Sequence, residues 1–252
     1  MLSSEEIPIE NNYLLPKHKQ ISAMLLERIR ECEYAVGSRL PSERELSGRY
    51  GVSRMTARQA LMDLIDRGYA IAEKGKGTFV QDPRINNDLN NLQGFSYMVK
   101  SSRGLEATSR VLEAKETEAD SVIAARLKIT IGTRIHSIRR VRIVDGFPVA
   151  VEQSYTPAML LPDLLQYDFA VRSLFGTIRE VYHIRLTHSW QEIGIVYSDS
   201  HTAMLLEVPK NEALFLFKSI TFTEGDIPVE YCEGYVRSDK CHFTTIAQNV
   251  EF

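Results

Sequence analysis

Arg54 and Arg58 lie one helical turn apart, near the start of a segment whose Ala57, Ala60, Leu61 and Leu64 recur at helical spacing. A helix that buries such a stripe, and holds two guanidinium groups off its edge at the N-terminal end, is built to enter a DNA major groove. An arginine fork matches O6 and N7 of guanine, and a good bidentate pair contributes roughly 1–3 kcal/mol of discrimination. Ser53 and Thr56, with the backbone amides of the helix start, suit phosphate oxygens, which fix register without reading sequence. Further on, Lys74, Gly75, Lys76 and Gly77 combine positive charge with a backbone bare enough to approach a minor groove.

A second constellation carries a different chemistry. Arg140 and Arg142 are two apart in an apolar-alternating stretch, so on a strand both point to one face. Two guanidinium groups side by side repel unless an anion sits between them, which suits a phosphate or carboxylate clamp. The alternative is a solvated strand face balanced by Glu152 or Asp145. If Glu152 and Glu230 lie opposite the arginines, the set suits a polyol bearing a phosphate at one end; either glutamate could instead be a plain surface residue. Ser173 opens a helix, where its hydroxyl serves an anion or simply caps the helix.

The elements that must position these groups follow from local signals. Lys17 to Cys32 forms a first helix with Ile21, Met24, Leu25 and Ile29 inward. Ser42 and Glu45 form a capping box, Gly51 ends the short helix they open, and Ser53 caps the next. Arg67-Gly68-Tyr69 then turns the chain into a two-stranded ribbon. Residues 17–80 are therefore a winged helix-turn-helix. Residues 1–16 are polar and proline-punctuated, a loose arm, and residues 81–91, QDPRINNDLNN, read as a linker. Residues 92–252 alternate apolar and polar, with helices near 119–128, 171–181 and 199–207.

This body contains an internal repeat. Ala124, Leu127, Ile129 and Ile135 correspond to Ala203, Leu206, Val208 and Leu214. RRVRIVDGFPVAVEQSY then corresponds to KSITFTEGDIPVEYCEGY, with hairpins at Asp145-Gly146 and Glu224-Gly225. Two such hairpins, each preceded by a helix, predict an antiparallel sheet covered by helices on one side, so the chain is α+β.

Composition agrees with two roles. The net charge is −3, yet residues 17–80 hold twelve Lys/Arg against eight Asp/Glu, leaving −7 for the remainder. A basic head on an acidic body fits a DNA binder with a partner domain of other purpose. Cys32, Cys232 and Cys241 show no paired spacing, which argues against a zinc site or a disulfide framework. No histidine pair has i, i+4 spacing, and His183 and His188 are expected on one strand, facing opposite sides. Gly75-Lys76-Gly77-Thr78 lacks the earlier glycine of a P-loop. No cofactor is expected. No apolar run approaches a membrane span and the N-terminus lacks signal-peptide order, so a cytoplasmic protein is expected.

P-S-E-R-E-L at 41–46, Y-G-V-S-R at 50–54, T-A-R-Q-A-L at 56–61 and G-K-G-T-F-V at 75–80 resemble the DNA-binding domain of the GntR family of bacterial regulators. That resemblance implies DNA contact by Arg44 as well as by Arg54 and Arg58. G-F-S at 94–96, S-R-G at 102–104, R-R-V-R at 139–142, D-G-F-P-V-A-V-E at 145–152 and R-S-D at 237–239 resemble the UTRA domain of the HutC branch, which has a chorismate-lyase-like fold. It implies a homodimeric repressor on a palindromic operator, controlled by a small anion such as a phosphorylated sugar or amino sugar. It further implies that Arg140 and Arg142 hold the anion and Glu152 accepts ligand hydroxyls, with Glu230 in the related place after Pro228, that the segment with Phe95 and Ser96 covers the site, and that residues 92–252 dimerise. The chain departs from the pattern at Phe175, where sugar-phosphate-sensing relatives carry tyrosine, and at Tyr235, an expected effector contact that stands one place before the tyrosine of the usual Y-R-x-D. The alternative is a chorismate-lyase-like enzyme domain fused to a DNA-binding head.

Overall fold

The computed structural model describes residues 15–82 and 84–247, so residues 1–14 of the expected arm lie outside the described residues. The chain divides into two compact units, residues 1–83 and 84–252.

In the first unit, α1 (Lys17–Arg30), α2 (Glu43–Tyr50) and α3 (Arg54–Asp66) precede the ribbon β1 (Ala70–Glu73) and β2 (Gly77–Val80). The capping box forms as expected: Ser42 N–H donates to Glu45 Oε2 at 2.7 Å, and Glu45 N–H donates to Ser42 Oγ at 3.3 Å. Gly51 ends α2 at φ +60, a left-handed conformation that disfavours a side chain. Ile21, Leu25, Leu26, Leu46, Ala57, Ala60, Leu61 and Leu64 form the core. The inward stripe of α1 is rotated from the expected one, because Ser22 and Leu26 are buried where Met24 is only partly so. Ser22 can be buried because the Asp63 carboxylate of α3 accepts its hydroxyl, together with Lys19 and Arg67. Burial opposes ionisation of Asp63, but the bonds from Lys19, Ser22 and Arg67 prevail and hold its carboxyl below the usual range. This clip ties the back of α3 to α1 and leaves its front for other work.

The second unit begins with β3 (Ile85–Asp88) and α4 (Phe95–Arg103). β3 lies inside the segment expected to be linker. It pairs in parallel with β10 (Cys241–Thr244), a partner far along the chain that no local pattern announces. Between them come β4 (Ala107–Glu118), α5 (Ser121–Leu127), β5 (Arg134–Val144), β6 (Phe147–Pro157), a 3₁₀ turn at Leu164–Gln166 and α6 (Leu174–Glu180). Then follow β7 (Leu186–Tyr197), α7 (Ser200–Leu206), β8 (Ala213–Thr223) and β9 (Ile227–Arg237). Six strands form one antiparallel sheet in the order β4-β5-β6-β9-β8-β7.

That order makes the repeat visible: strand, helix, strand, hairpin, strand occurs twice, meeting at the β6–β9 seam. Matching helices are capped by Asp120 and Asp199 and closed by Lys128 and Glu207, both left-handed at φ 52 and 54. Matching β-bulges leave Val149 and Val229 unopposed one residue after Pro148 and Pro228. The hairpins differ by one residue. The first turns on Asp145-Gly146, while the second uses Glu224-Gly225-Asp226, with Gly225 and Asp226 at positive φ.

Helices cover both faces, not one as expected. Clusters around α5 and α7 lie on one side of the sheet. On the other, α6 and the segment before it pack through Leu161, Leu164, Phe169, Leu174 and Ile178 onto Ile138 and Val229. His183 precedes β7 at φ +54, so it does not share a strand with His188.

Candidate DNA-reading surface and effector pocket

Arg54 and Arg58 are exposed on α3, opposite the stripe buried against α1 and α2, and Arg44 is exposed on α2. Ser53 Oγ accepts the Thr56 N–H at 3.1 Å and lies 2.9 Å from Thr56 Oγ1, so both hydroxyls sit together at the start of α3. Arg44 and Arg54 share a concavity with Arg39, Ser42, Glu43, Gly77 and Thr78, whereas Arg58 does not line it. Lys74 and Gly75 are exposed at the tip of the wing, and Lys76 Nζ lies 2.9 Å from Glu73 Oε2. Exposed ion pairs of this kind are worth about 0–1 kcal/mol, so Lys76 is readily drawn to a phosphate. Arg39 carries no local sequence signal, because no periodicity marks a face in the short segment before Leu40-Pro41.

In the second unit, strand register gathers the other constellation. Arg140 is opposite Glu152, Glu152 opposite Gly234, and Gly234 opposite Phe217. The same face carries Ser154 opposite Cys232, Cys232 opposite Ser219 and Ser219 opposite Gln191. Thr221 sits between Glu230 and Ser189. These side chains line one cavity, roofed by Leu92, Gln93, Gly94 and Phe95 on one side and Ser173, Leu174 and Phe175 on another. The roof is tight: a Cβ on Gly94 would lie 3.0 Å from Phe175 Cβ.

Arg140 and Arg142 are each 3% exposed. One carboxylate faces both: Glu152 Oε2 is 3.6 Å from Arg140 Nη2 and 3.8 Å from Arg142 Nε, beyond good hydrogen-bond length. Arg142 Nη2 donates to Ser96 Oγ at 2.9 Å, and its guanidinium carbon lies 4.5 Å from the centre of the Phe95 ring. Arg140 Nε and Nη1 and Arg142 Nε are buried and make no hydrogen bond among the described residues. Burial lowers the Arg142 pKa to about 10, which still leaves the group charged at neutral pH. Burial likewise raises the Glu230 carboxyl to about 7, so near neutrality it can donate a hydrogen bond as well as accept one.

That shift has a measurable sign. The folded protein keeps the Glu230 proton to higher pH than the unfolded chain does, so stability falls as pH rises from the ordinary 4.5 to about 7. The full cost above that window is on the order of 3 kcal/mol. Glu230→Gln is therefore expected to raise the unfolding temperature at pH 8 by several degrees and to leave it nearly unchanged at pH 4. Equal effects at the two pH values would refute the assignment.

Two expectations need correction. Tyr235 pairs with Val151 and packs with Val141, Leu205, Leu206 and Leu214 on the α7 side, away from the arginines. With a side-chain period of two, a one-residue displacement moves a residue to the other face; Val236 holds the inward position and packs with Met98 and Val149. Glu230 and Glu152 share a face but are not repeat equivalents: Glu230 aligns with Ala150, and Cys232 takes the place of Glu152. Ser173 lines the pocket, yet its hydroxyl accepts the Gly176 N–H at 3.2 Å as an N-cap. Ser189, Gln191, Ser219 and Thr221 were missed, because only pairing across the sheet joins them to the arginines.

Among the described residues, no group of three His, Cys, Asp or Glu is placed to hold a metal ion, and no helix is long and apolar enough to cross a membrane. All three cysteines are free.

Residues 17–80 match the bacterial regulatory proteins of the gntR family, and residues 102–242 match the UTRA domain. The chain belongs to the GntR family and is a DNA-binding transcriptional regulator with a UTRA effector domain. Over 229 residues it is 31% identical to the HTH-type transcriptional repressor NagR of Bacillus subtilis, covering 91% of this chain and 93% of that one. It is 30% identical to the mannosyl-D-glycerate transport/metabolism system repressor MngR of Escherichia coli, with 92% and 96% covered. The crystal structure of PhnF from Mycobacterium smegmatis is similar at a TM-score of 0.65 and 27% identity, covering 90% of this chain and 99% of that one. These relatives are regulators, which sets the enzymatic alternative aside.

Proposed function

We propose that the sheet-face pocket binds a small phosphorylated sugar or amino sugar, and that its occupancy alters the grip of the head on a palindromic operator. The observation that carries this reading is the set of three buried arginine nitrogens without acceptors among the described residues. Each such donor costs about 1–3 kcal/mol when left unmatched, and an anion between the two forks offsets that cost. The duplication supports the sugar part. Since Ile135 matches Leu214, Arg140 and Arg142 match Ser219 and Thr221, so one repeat supplies cations and the other hydroxyls. With Ser189 and Gln191, this makes a pocket charged at one end and neutral and hydrogen-bonding at the other. Relatives named for mannosyl-D-glycerate and for fructoselysine utilization point to sugar conjugates as a class.

A homodimer with two heads suits a palindromic operator. The edges of the sheet support it. β4 exposes Arg110, Glu113, Lys115, Glu116 and Glu118, whereas β7 exposes Trp190, Ile193, Ile195 and Tyr197. Charged edges resist pairing and apolar ones invite it, so β7 is the edge a second copy would cover. Sedimentation as a monomer at micromolar concentration would exclude this arrangement.

The test of the ligand class is a thermal-shift series on the full chain with sugars, their phosphates and simple carboxylates. Phosphorylated sugars are expected to raise the unfolding temperature, by about 2.7 kcal/mol equivalent at a hundredfold excess over Kd. If the neutral sugars stabilise as well as their phosphates, the clamp reading fails.

A further inference from the structure

Arg39 stands where the turn before α2 runs beside the wing. Leu40 N–H donates to Thr78 O at 2.8 Å, Val80 N–H to Ser38 O at 2.8 Å, and Gly37 N–H to Val80 O at 2.9 Å. Residues 37–40 thus lie along β2 as a short third strand, with Arg39 and Phe79 bridged. This fixes the Arg39 backbone, and its side chain runs past Gly77. A Cβ built on Gly77 would lie 2.6 Å from Arg39 Nε, and Gly77 has φ +125, a conformation that side chains rarely adopt. The second glycine of the wing therefore has a structural task beyond baring the backbone: it leaves room for a guanidinium laid across the wing root.

Among the described residues, the concavity that results is lined by three arginines, Arg39, Arg44 and Arg54, and by one acidic residue, Glu43. Arg39 also lies close enough to Glu45 to help lower its pKa, although the hydrogen bonds within the Ser42 capping box dominate that shift. Three cations converging from this short strand, α2 and α3 onto one depression present a surface for a polyanion. Arg44 and Arg54 enter from the helices, and Arg39 closes the side nearest the wing.

We propose that Arg39 is a further DNA contact, which grips a backbone phosphate between the recognition helix and the wing, where the bare backbone of Gly77 leaves room for its guanidinium. Its place at the wing root, rather than on the exposed start of α3, assigns it to positioning the duplex, not to reading bases. A phosphate contact contributes about 0.9 to the slope of log K against log salt, irrespective of sequence.

The experiment uses full-length protein, the tightest duplex selected from a random-sequence library, and an unrelated duplex of equal length. Binding is followed across a salt series. Arg39→Ala is expected to weaken both duplexes by roughly tenfold at 0.1 M salt and to reduce the salt slope by about one per head. Arg39→Lys, which keeps the charge, is expected to recover most of the slope. Because Arg39 is exposed, the fold is expected to survive, and the unfolding temperature of each variant checks this. An unchanged slope in folded Arg39→Ala overturns the proposal, as does a loss confined to the selected duplex.

Discussion

Replacing Arg140 with methionine is expected to abolish the effector response of operator binding, while leaving the protein as stable as before or more so. The two halves of that expectation have one cause. Arg140 is buried among strands with two N–H groups unmatched, and its nearest carboxylate is beyond good hydrogen-bond length. A buried cation so poorly satisfied is held at a cost, and apolar replacements of buried charges are often neutral or stabilising by about 1–4 kcal/mol. Glu152 would keep Arg142 as its partner, so no lone charge is created. The ligand, in contrast, would lose charge-assisted bonds worth about 1.5–3 kcal/mol each, a rise in Kd on the order of a hundredfold or more. Calorimetric titration of the variant, with its unfolding temperature measured alongside, checks both halves. A variant that unfolds several degrees earlier yet binds the wild-type ligand normally would show Arg140 to be a structural cation.

Arg54→Ala is expected to leave folding untouched and to remove most operator discrimination. Arg54 is exposed at the first position of α3, while the residues that hold the helix, Ala57, Ala60, Leu61 and Leu64, lie on the buried side. Loss of one bidentate contact to guanine costs about 1–3 kcal/mol, so affinity for the preferred duplex should fall ten- to hundredfold per head. Affinity for unrelated duplexes should fall much less, by about one phosphate-equivalent of charge. A gel-shift at fixed salt that returned the wild-type ratio between preferred and unrelated duplexes would remove Arg54 from the reading surface. The variant also separates the two sites: ligand stabilisation of the second unit should be unaltered.

Coupling between the sites is reciprocal. Whatever factor the ligand applies to operator affinity, the operator applies to ligand affinity, and about 1–3 kcal/mol is typical.

How far each site could be read before folding depended on the range of the interactions that build it. The head was legible nearly throughout. Its caps are made within three residues, as in Ser42 with Glu45 and Ser53 with Thr56. Gly51 supplies its left-handed turn locally, and the buried stripe of α3 declares itself by spacing. What escaped there was Arg39, whose position depends on an alignment with β2 across the unit. In the body, the pairing of Arg140 with Arg142 needed only the two-residue period of a strand, and the repeat needed only self-comparison. Local pattern also misled. Tyr235 seemed displaced by one place within a site and in fact lies on the other face of the sheet, because alternation leaves no intermediate position. β3 looked like linker because four polar-rich residues carry no signal until β10 pairs with them.

The sequence by itself determined the two units, the elements of the head, the arginines that face outward and the cation pair on β5, since each follows from propensity, capping or periodicity over a few residues. Only the tertiary structure decided which hydroxyls face those cations, that their N–H groups lack acceptors, that Glu230 is buried enough to hold its proton, and that Gly77 makes room for Arg39. Those properties depend on strand register and burial, and both are set by contacts between residues far apart in the chain.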